Sequence, residues 1–273
     1  MSAWSYEGKR VVIAGCFSGI GEAVAREVVR LGGEVHGVDV RQSPVALATF
    51  RQLDLKDPDA VDAAVEAIGG TIDCLFNCAG LPQTFPAVDV MKVNFIGMRH
   101  WTERWIPRIN RGGAVATIAS NAAYRFQEKL PLTRELVATP DYAAALKWVE
   151  AHTDAVGDGY SFSKEAIVVY TLTRAAELAR QGIRLNVTLP SPTTTPMMDE
   201  FVKIAPKQVF DAFSEPIGRA ATPIEQALPL VFLNSDAAGF VSGLAMPVDA
   251  GFTGGITTGV LDMQKLLASA MAG

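Results

Sequence analysis

Apolar runs of strand length alternate along the chain with longer stretches whose apolar positions recur at helical spacing, the pattern of repeated βαβ units around a parallel sheet. Strands are predicted at residues 10–14, 34–38, 51–53, 72–76, 114–119, 183–189 and 244–248, with helices between them. The fold class that follows is α/β, a doubly wound parallel sheet of seven strands in a single domain over residues 1–273. Within residues 88–109, Lys92, Arg99, Glu103 and Arg104 are spaced to leave one polar face, so a half-buried helix is expected to run under the end of the fourth strand. Residues 189–196, LPSPTTTP, cannot be helical because prolines remove donors and restrict their neighbours; they read as the loop after the sixth strand. A glycine-rich turn after Gly251 leads into a C-terminal extension, residues 256–273. Its short helical pattern at 261–271 suits either a subunit contact or a fraying tail.

Hydrophobic residues make up 49% and charged residues 19% of the chain, enough apolar material for a sheet buried on both faces. The formal charge is -5 and there is no Lys/Arg run, which argues against phosphate neutralisation and so against a nucleic-acid partner. The segment MSAWSYEGKR is charged and lacks the apolar core of a signal peptide, and no uncharged apolar stretch reaches the ~18 residues of a membrane span. A cytoplasmic protein with no membrane partner is expected. Cys16, Cys74 and Cys78 lack the paired spacing of a zinc site and His36, His100 and His152 are scattered, so free thiols and no metal are expected.

A small-molecule partner fits better, and the first predicted strand says where it would sit. That strand runs into AGCFSGIG, residues 14–21, and helical periodicity starts at once with Glu22, Val24, Ala25, Val28 and Val29. Gly15 would permit the tight turn, Gly19 the approach of a pyrophosphate, with Ser18 and Ile20 beside it, and Gly21 the close packing of helix on sheet. The helix N-terminus would turn free N–H groups and a positive dipole end toward the anion. An ordinary βα turn could use the same glycines, but the strand before and the helix after favour a dinucleotide site. Asp39, ending the second strand, stands where a carboxylate would hold the adenosine ribose hydroxyls and repel the extra phosphate of NADP. NAD is therefore the expected cofactor, with Arg41 a mild pull the other way.

The sequence YSFSK, residues 160–164, opens a helical stretch and puts Tyr160 and Lys164 on one helix face. A free phenol titrates near about 10, and a neighbouring ammonium would lower that by ~1 to 3 units and make Tyr160 a usable acid/base. Ser120, ending the fifth strand at the carboxyl edge of the sheet, would hold a substrate oxygen beside Tyr160. Asn94, in VNF, would fix a water or a backbone bend near Lys164.

Together these motifs resemble the short-chain dehydrogenase/reductase family of the compact type, over residues 8–251. AGCFSGIG is similar to the family's TGxxxGIG, FNCAG at 76–80 to its NNAG, and Asn94, Ser120, Tyr160 and Lys164 fall on its catalytic tetrad. The resemblance implies a Rossmann-type fold, a homodimer or homotetramer, and a reaction in which Tyr160 exchanges the proton with the alcohol oxygen while Ser120 orients it. It implies that Lys164 binds the nicotinamide ribose and lowers the tyrosine pKa, and that Asn94 positions a water. It further implies Asp54 and Leu55 beside the adenine, Asn77, Ala79 and Gly80 on the adenosine ribose side, and Pro190, Thr193 and Thr195 at the nicotinamide end. Ala14 replaces the family's usual Thr and Ser191 the Gly of its PG turn; neither departure removes chemistry.

The long segment between Ser120 and Tyr160 departs from the family's usual short connection. Similar insertions occur in bacterial coniferyl-alcohol dehydrogenases and 3α-hydroxysteroid dehydrogenase/carbonyl reductases, and MDEFV at 198–202 and MPVDAG at 246–251 lean toward the former. The resemblance thus implies a bulky apolar alcohol or carbonyl substrate, aryl allylic or steroid-like. The insertion, residues 122–157, leaves just after Ser120 and returns just before Tyr160, and Tyr142, Ala145, Leu146 and Val149 share a helical face opposite Lys147 and Glu150. A wall or lid over the substrate is expected, with a subunit contact as the alternative. An NAD-dependent alcohol dehydrogenase or carbonyl reductase is the leading reading. A Rossmann-fold NAD sensor without turnover and a nucleotide-sugar epimerase or dehydratase are the alternatives; the retained Tyr160 and Lys164 oppose the first, the glycine spacing the second.

Overall fold

The computed structural model describes residues 2–272; positions 1 and 273, the two ends of the predicted domain, lie outside the described residues. The chain opens with β1 (Arg10–Ala14), α1 (Gly19–Arg30), β2 (Glu34–Asp39), β3 (Thr49–Gln52), α2 (Pro58–Ile68) and β4 (Ile72–Asn77). There follow α3 (Ala87–Met91), a π-helical segment (Lys92–Gly97), α4 (Met98–Trp105) and β5 (Ile109–Ile118). Next come α5 (Leu130–Val137), α6 (Tyr142–Ala151), α7 (Thr153–Val156), α8 (Tyr160–Arg180) and β6 (Arg184–Pro190). Beyond them lie α9 (Pro196–Phe201), α10 (Lys207–Ala212), α11 (Pro223–Asn234), β7 (Ala245–Val248), α12 (Phe252–Thr258) and α13 (Met263–Ala272).

The strands form one parallel seven-stranded sheet in the order β3-β2-β1-β4-β5-β6-β7. Side chains alternate across a strand, so both faces of β1 must be covered. Val11 and Ile13 enter one core with Val24 and Val28 of α1 and Leu230 of α11; Val12 and Ala14 enter the other with Val61 of α2, Trp101 of α4 and Ile167 of α8. The strand order reverses between β1 and β4, where the carboxyl ends of an open α/β sheet leave a crevice for a ligand.

The helix expected over 88–109 runs unbroken as α3, the π-helical segment and α4, and continues as a 3-10 turn over Ile106–Arg108 to the start of β5. Strand β5 starts earlier than predicted because Gly112, at φ +93°, and Gly113 let it bulge between the Ile72–Ile109 and Cys74–Ala114 pairings. Arg99 is not on a polar face as expected but is 6% exposed. Its guanidinium donates to the carbonyl oxygens of Val137, Thr139 and Asp141 at 3.2, 3.0 and 2.9 Å, satisfying the C-terminal end of α5 and the turn into α6. A local charge pattern cannot reveal a partner that arrives from the insertion.

The insertion is folded into the body of the molecule. Leu136, Ala145, Val149 and Val156 are buried in the core, with α6 against α3 and the π-helical segment and α5 and α7 against α8, and Tyr142, Leu146 and Trp148 pack against it. The face expected to wall a substrate is therefore covered by the chain itself, with Lys147 and Glu150 exposed on the other side. In the C-terminal extension, α13 packs along α10. Among the described residues no helix is long and apolar enough to cross a membrane. Because Leu136 is fully buried, Leu136→Ala should lower unfolding stability by about 2–5 kcal/mol in a denaturant titration. A loss near zero would mean that the insertion is only loosely attached.

Candidate active site

A cavity of about 860 Å³ opens at the carboxyl ends of the strands, lined by the turns after β1, β2, β3, β4, β5 and β6 and by α9 and α10. At its floor Gly15 has φ +86°, and a Cβ there would collide with the Ala79 amide nitrogen; a Cβ on Gly21 would run into the Gly15 carbonyl and stand 2.9 Å from the Cys78 Cβ. Gly19, at φ +62°, approaches the methyl group of Thr195. Ser18 begins α1 without a side-chain capping bond, which leaves the first-turn N–H groups of the helix for an anion. Asp39 accepts the N–H groups of Phe17 at 2.9 Å and Arg41 at 3.2 Å, and its carboxylate keeps acceptor sites for ribose hydroxyls. The Arg41 guanidinium lies over the Phe17 ring, 4.0 Å from its centroid. A glycine cradle, a free helix N-terminus and a carboxylate along one cavity fit a dinucleotide.

Tyr160 opens α8 after Gly159, which has φ +83° and no room for a side chain against the Ala87 carbonyl, and Asp158 accepts the Tyr160 N–H at 2.9 Å. The helix is buried nearly all round from Tyr160 to Thr171, so Tyr160 and Lys164 are held in place by the core. Ser120 stands beyond the end of β5 rather than ending it. Ala119 still donates to Thr188, after which Ser120 turns away and its hydroxyl accepts the Ala122 N–H at 3.1 Å.

The electrostatics differ from the expectation that Lys164 lowers the tyrosine pKa. Burial pushes Tyr160 up to about 12, opposed by the nearby Ser120 hydroxyl and reinforced by the Asp158 carboxylate. Burial likewise pushes Lys164 down to about 8. Its Nζ donates to the Ile118 carbonyl at 3.3 Å and lies 5.6 Å from the centre of the Tyr160 ring.

Of the residues singled out from sequence, Gly15, Ser18, Gly19, Ile20, Gly21, Asp39, Asp54, Leu55, Ala79, Gly80, Ser120, Tyr160, Lys164, Pro190, Thr193 and Thr195 all line this cavity. Asn77 does not: its amide donates to Thr102 at 2.9 Å and Thr117 at 3.1 Å, inside the protein. Asn94 also stands behind the lining, in the π-helical segment. It brackets Leu81, accepting its N–H at 2.7 Å and donating to its carbonyl at 3.0 Å, and also donates to Ser163 at 3.2 Å. Sequence reasoning missed the apolar wall of Met197, Met198, Phe201, Val209, Phe210 and Phe213. Phe201 meets the Tyr160 ring edge-on at 5.2 Å and stacks on Phe210 at 5.7 Å. The helical spacing of Met197 with Phe201 and of Val209 with Phe213, just past the proline-rich loop, was the available signal. Only Asn121 and Ala122, next to Ser120, represent the neighbourhood of the insertion in the cavity, so it is not the wall expected.

A family model described as short chain dehydrogenase matches residues 9–131, and one described as enoyl-(acyl carrier protein) reductase matches residues 139–253. Coniferyl-alcohol dehydrogenase of Pseudomonas sp. strain HR199 is 31% identical over 89% of this chain and 96% of its own. The 3-alpha-hydroxysteroid dehydrogenase/carbonyl reductase of Comamonas testosteroni is 32% identical over 88% of this chain and 95% of its own. The crystal structure of 3-alpha-hydroxysteroid dehydrogenase from Pseudomonas sp. B-0831, complexed with NADH, superposes with a TM-score of 0.77 at 28% identity, covering 93% of this chain and 100% of the other.

The displaced lysine has a stability signature. An unfolded lysine titrates near 10.5 and the folded Lys164 near 8, so between these values the unfolded state binds more protons and the contribution of Lys164 to stability rises with pH. Tyr160, held near 12 against 10 unfolded, acts in the opposite sense only above pH 10. Lys164→Met should therefore be more stable than the parent at pH 7, by on the order of 1–3 kcal/mol, with the gap closing toward pH 10. Denaturant titrations across that range check it; a gap independent of pH would refute a desolvated lysine.

Proposed function

Because the chain belongs to the short-chain dehydrogenase/reductase family of oxidoreductases, we propose that it interconverts a bulky apolar alcohol, aryl allylic or steroid-like, with its aldehyde or ketone, using NAD. One observation carries this reading: Ser120, Tyr160 and Lys164 stand together in the cavity that begins at the glycine turn, and Phe201 meets the Tyr160 ring edge-on as part of its apolar wall. An oxygen received by Ser120 and Tyr160 would leave the remainder of its molecule against Phe201, Phe210 and the two methionines. The similar coniferyl-alcohol dehydrogenase and 3-alpha-hydroxysteroid dehydrogenase/carbonyl reductase take their names from alcohols of that character.

When bound, the nicotinamide supplies the acceptor or donor of hydride. The chain's own residues then have separable tasks. Ser120 donates to the substrate oxygen and orients it, and Tyr160 takes or returns the proton of that oxygen. Lys164, beside Gly80 and Ile118, offers N–H donors to the nicotinamide ribose. Asn94 holds the backbone of Leu81, so the turn that carries Ala79 and Gly80 keeps its distance from α8. Asp39 accepts from the adenosine ribose, and its charge disfavours an added phosphate there. A sensor without turnover would have no use for Ser120, Tyr160 and Lys164 in the same cavity as the glycine turn.

NADH formation followed with aryl allylic alcohols and with hydroxysteroids tests the activity. Tyr160→Phe should lower kcat by about 10² to 10⁴ while NAD still binds; turnover near that of the parent would sink the assignment. The parent should show a higher kcat/KM with NAD than with NADP, and Asp39→Ala should narrow the difference from both sides. A parent preference for NADP would mean that Arg41, not Asp39, decides.

A further inference from the structure

The insertion touches the cavity from behind, at the end away from Tyr160. The Tyr142 hydroxyl at the start of α6 donates to the Lys56 carbonyl at 2.7 Å. Lys56 continues the turn that begins with Asp54 and Leu55, both of which line the cavity, and its N–H donates to Asp54 at 2.9 Å. Gly97 presses on the same turn from the π-helical segment, where a Cβ would collide with the Leu55 carbonyl. Arg99, two residues on, clamps the chain entering α6, and His100 meets the Tyr142 ring edge-on at 6.1 Å. The Lys56 ammonium reaches Asp89 of α3 at 3.4 Å. Residues 54–56 are thus held between the insertion and the helix that carries Asn94.

We infer that Tyr142 is a positioning residue for the adenosine half of the dinucleotide: through the Lys56 carbonyl it sets the turn of Asp54 and Leu55, and the insertion serves cofactor binding rather than substrate selection. The inference rests on the dinucleotide reading of the cavity. A hydrogen bond from a phenol to a backbone carbonyl fixes the position of the peptide group it meets, and the neighbouring peptide groups move with it because the turn is short. The Tyr142 ring packs on the core, so its hydroxyl is delivered from a rigid base.

The test uses the full chain and Tyr142→Phe, which removes one oxygen and keeps the ring. Calorimetric titration with ADP-ribose, which has the adenosine and pyrophosphate but no nicotinamide, should give a Kd about 2- to 10-fold higher than in the parent. The KM for the alcohol and kcat at saturating NAD should be unchanged. Leu146→Ala, which loosens the insertion without touching Lys56, should leave the ADP-ribose Kd as in the parent. Equal Kd values for Tyr142→Phe and the parent would overturn the inference, as would a rise of Kd and alcohol KM together, or the same rise in Leu146→Ala. Failure of the parent itself to bind ADP-ribose would remove the dinucleotide reading and this inference with it.

Discussion

The structure depends on a contact made without side chains. The turns that end β1 and β4 meet backbone to backbone: Gly15 lies against the Ala79 nitrogen, and Gly21 against the Gly15 carbonyl. The Cys78 N–H donates to Ala14 and the Gly15 N–H to Val38, each at 2.8 Å, so three adjacent strands are tied together just where the sheet order reverses. Any side chain at either glycine would separate the turns or lift α1 from the sheet. The same contact places the N-terminus of α1 on the cavity floor and lets the Phe17 N–H reach Asp39. Sheet registry, helix docking and the anion cradle are therefore one constraint.

The chemistry at the other end is governed by burial. An ammonium and a phenol enclosed in the same wall are both pushed toward their neutral forms, Lys164 downward and Tyr160 upward. The Ser120 hydroxyl opposes this for Tyr160, because a hydroxyl able to donate to the phenol oxygen favours the phenolate. Positioning comes from elsewhere, since α8 has a core on nearly every side and can neither roll nor slide without opening it.

What could be read from sequence was what is local or periodic. The apolar alternation of β1 and the helical spacing after Gly21 each depend on near neighbours, so strands, helices and the glycine turn were legible. Tyr160 and Lys164 share a helix face by spacing alone. Asn77 was misplaced because the strand pattern cannot say that Thr102 and Thr117 will meet its amide. Arg99 was misplaced because its carbonyl partners come from residues 137–141. The insertion's apolar face was recognised, but an apolar face does not name the surface that covers it, and here that surface is α3 and the π-helical segment.

The two ends of the cavity are consequently supported from opposite directions. The turn of Asp54 and Leu55 is backed by α6 and by the helix through Gly97. The apolar wall near Tyr160 is carried on α9 and α10, each of six residues, too short to be stable alone. Its order must come from packing: Phe201 on Tyr160 and Phe210, Phe213 on Phe252 of α12 at 5.4 Å, and α10 against α13. The end of the cavity near Tyr160 is shaped by the C-terminal part of the chain, while the end at Asp54 and Leu55 is backed by the insertion. Each can change in sequence without disturbing the glycine contact between them, because no side chain of either takes part in it.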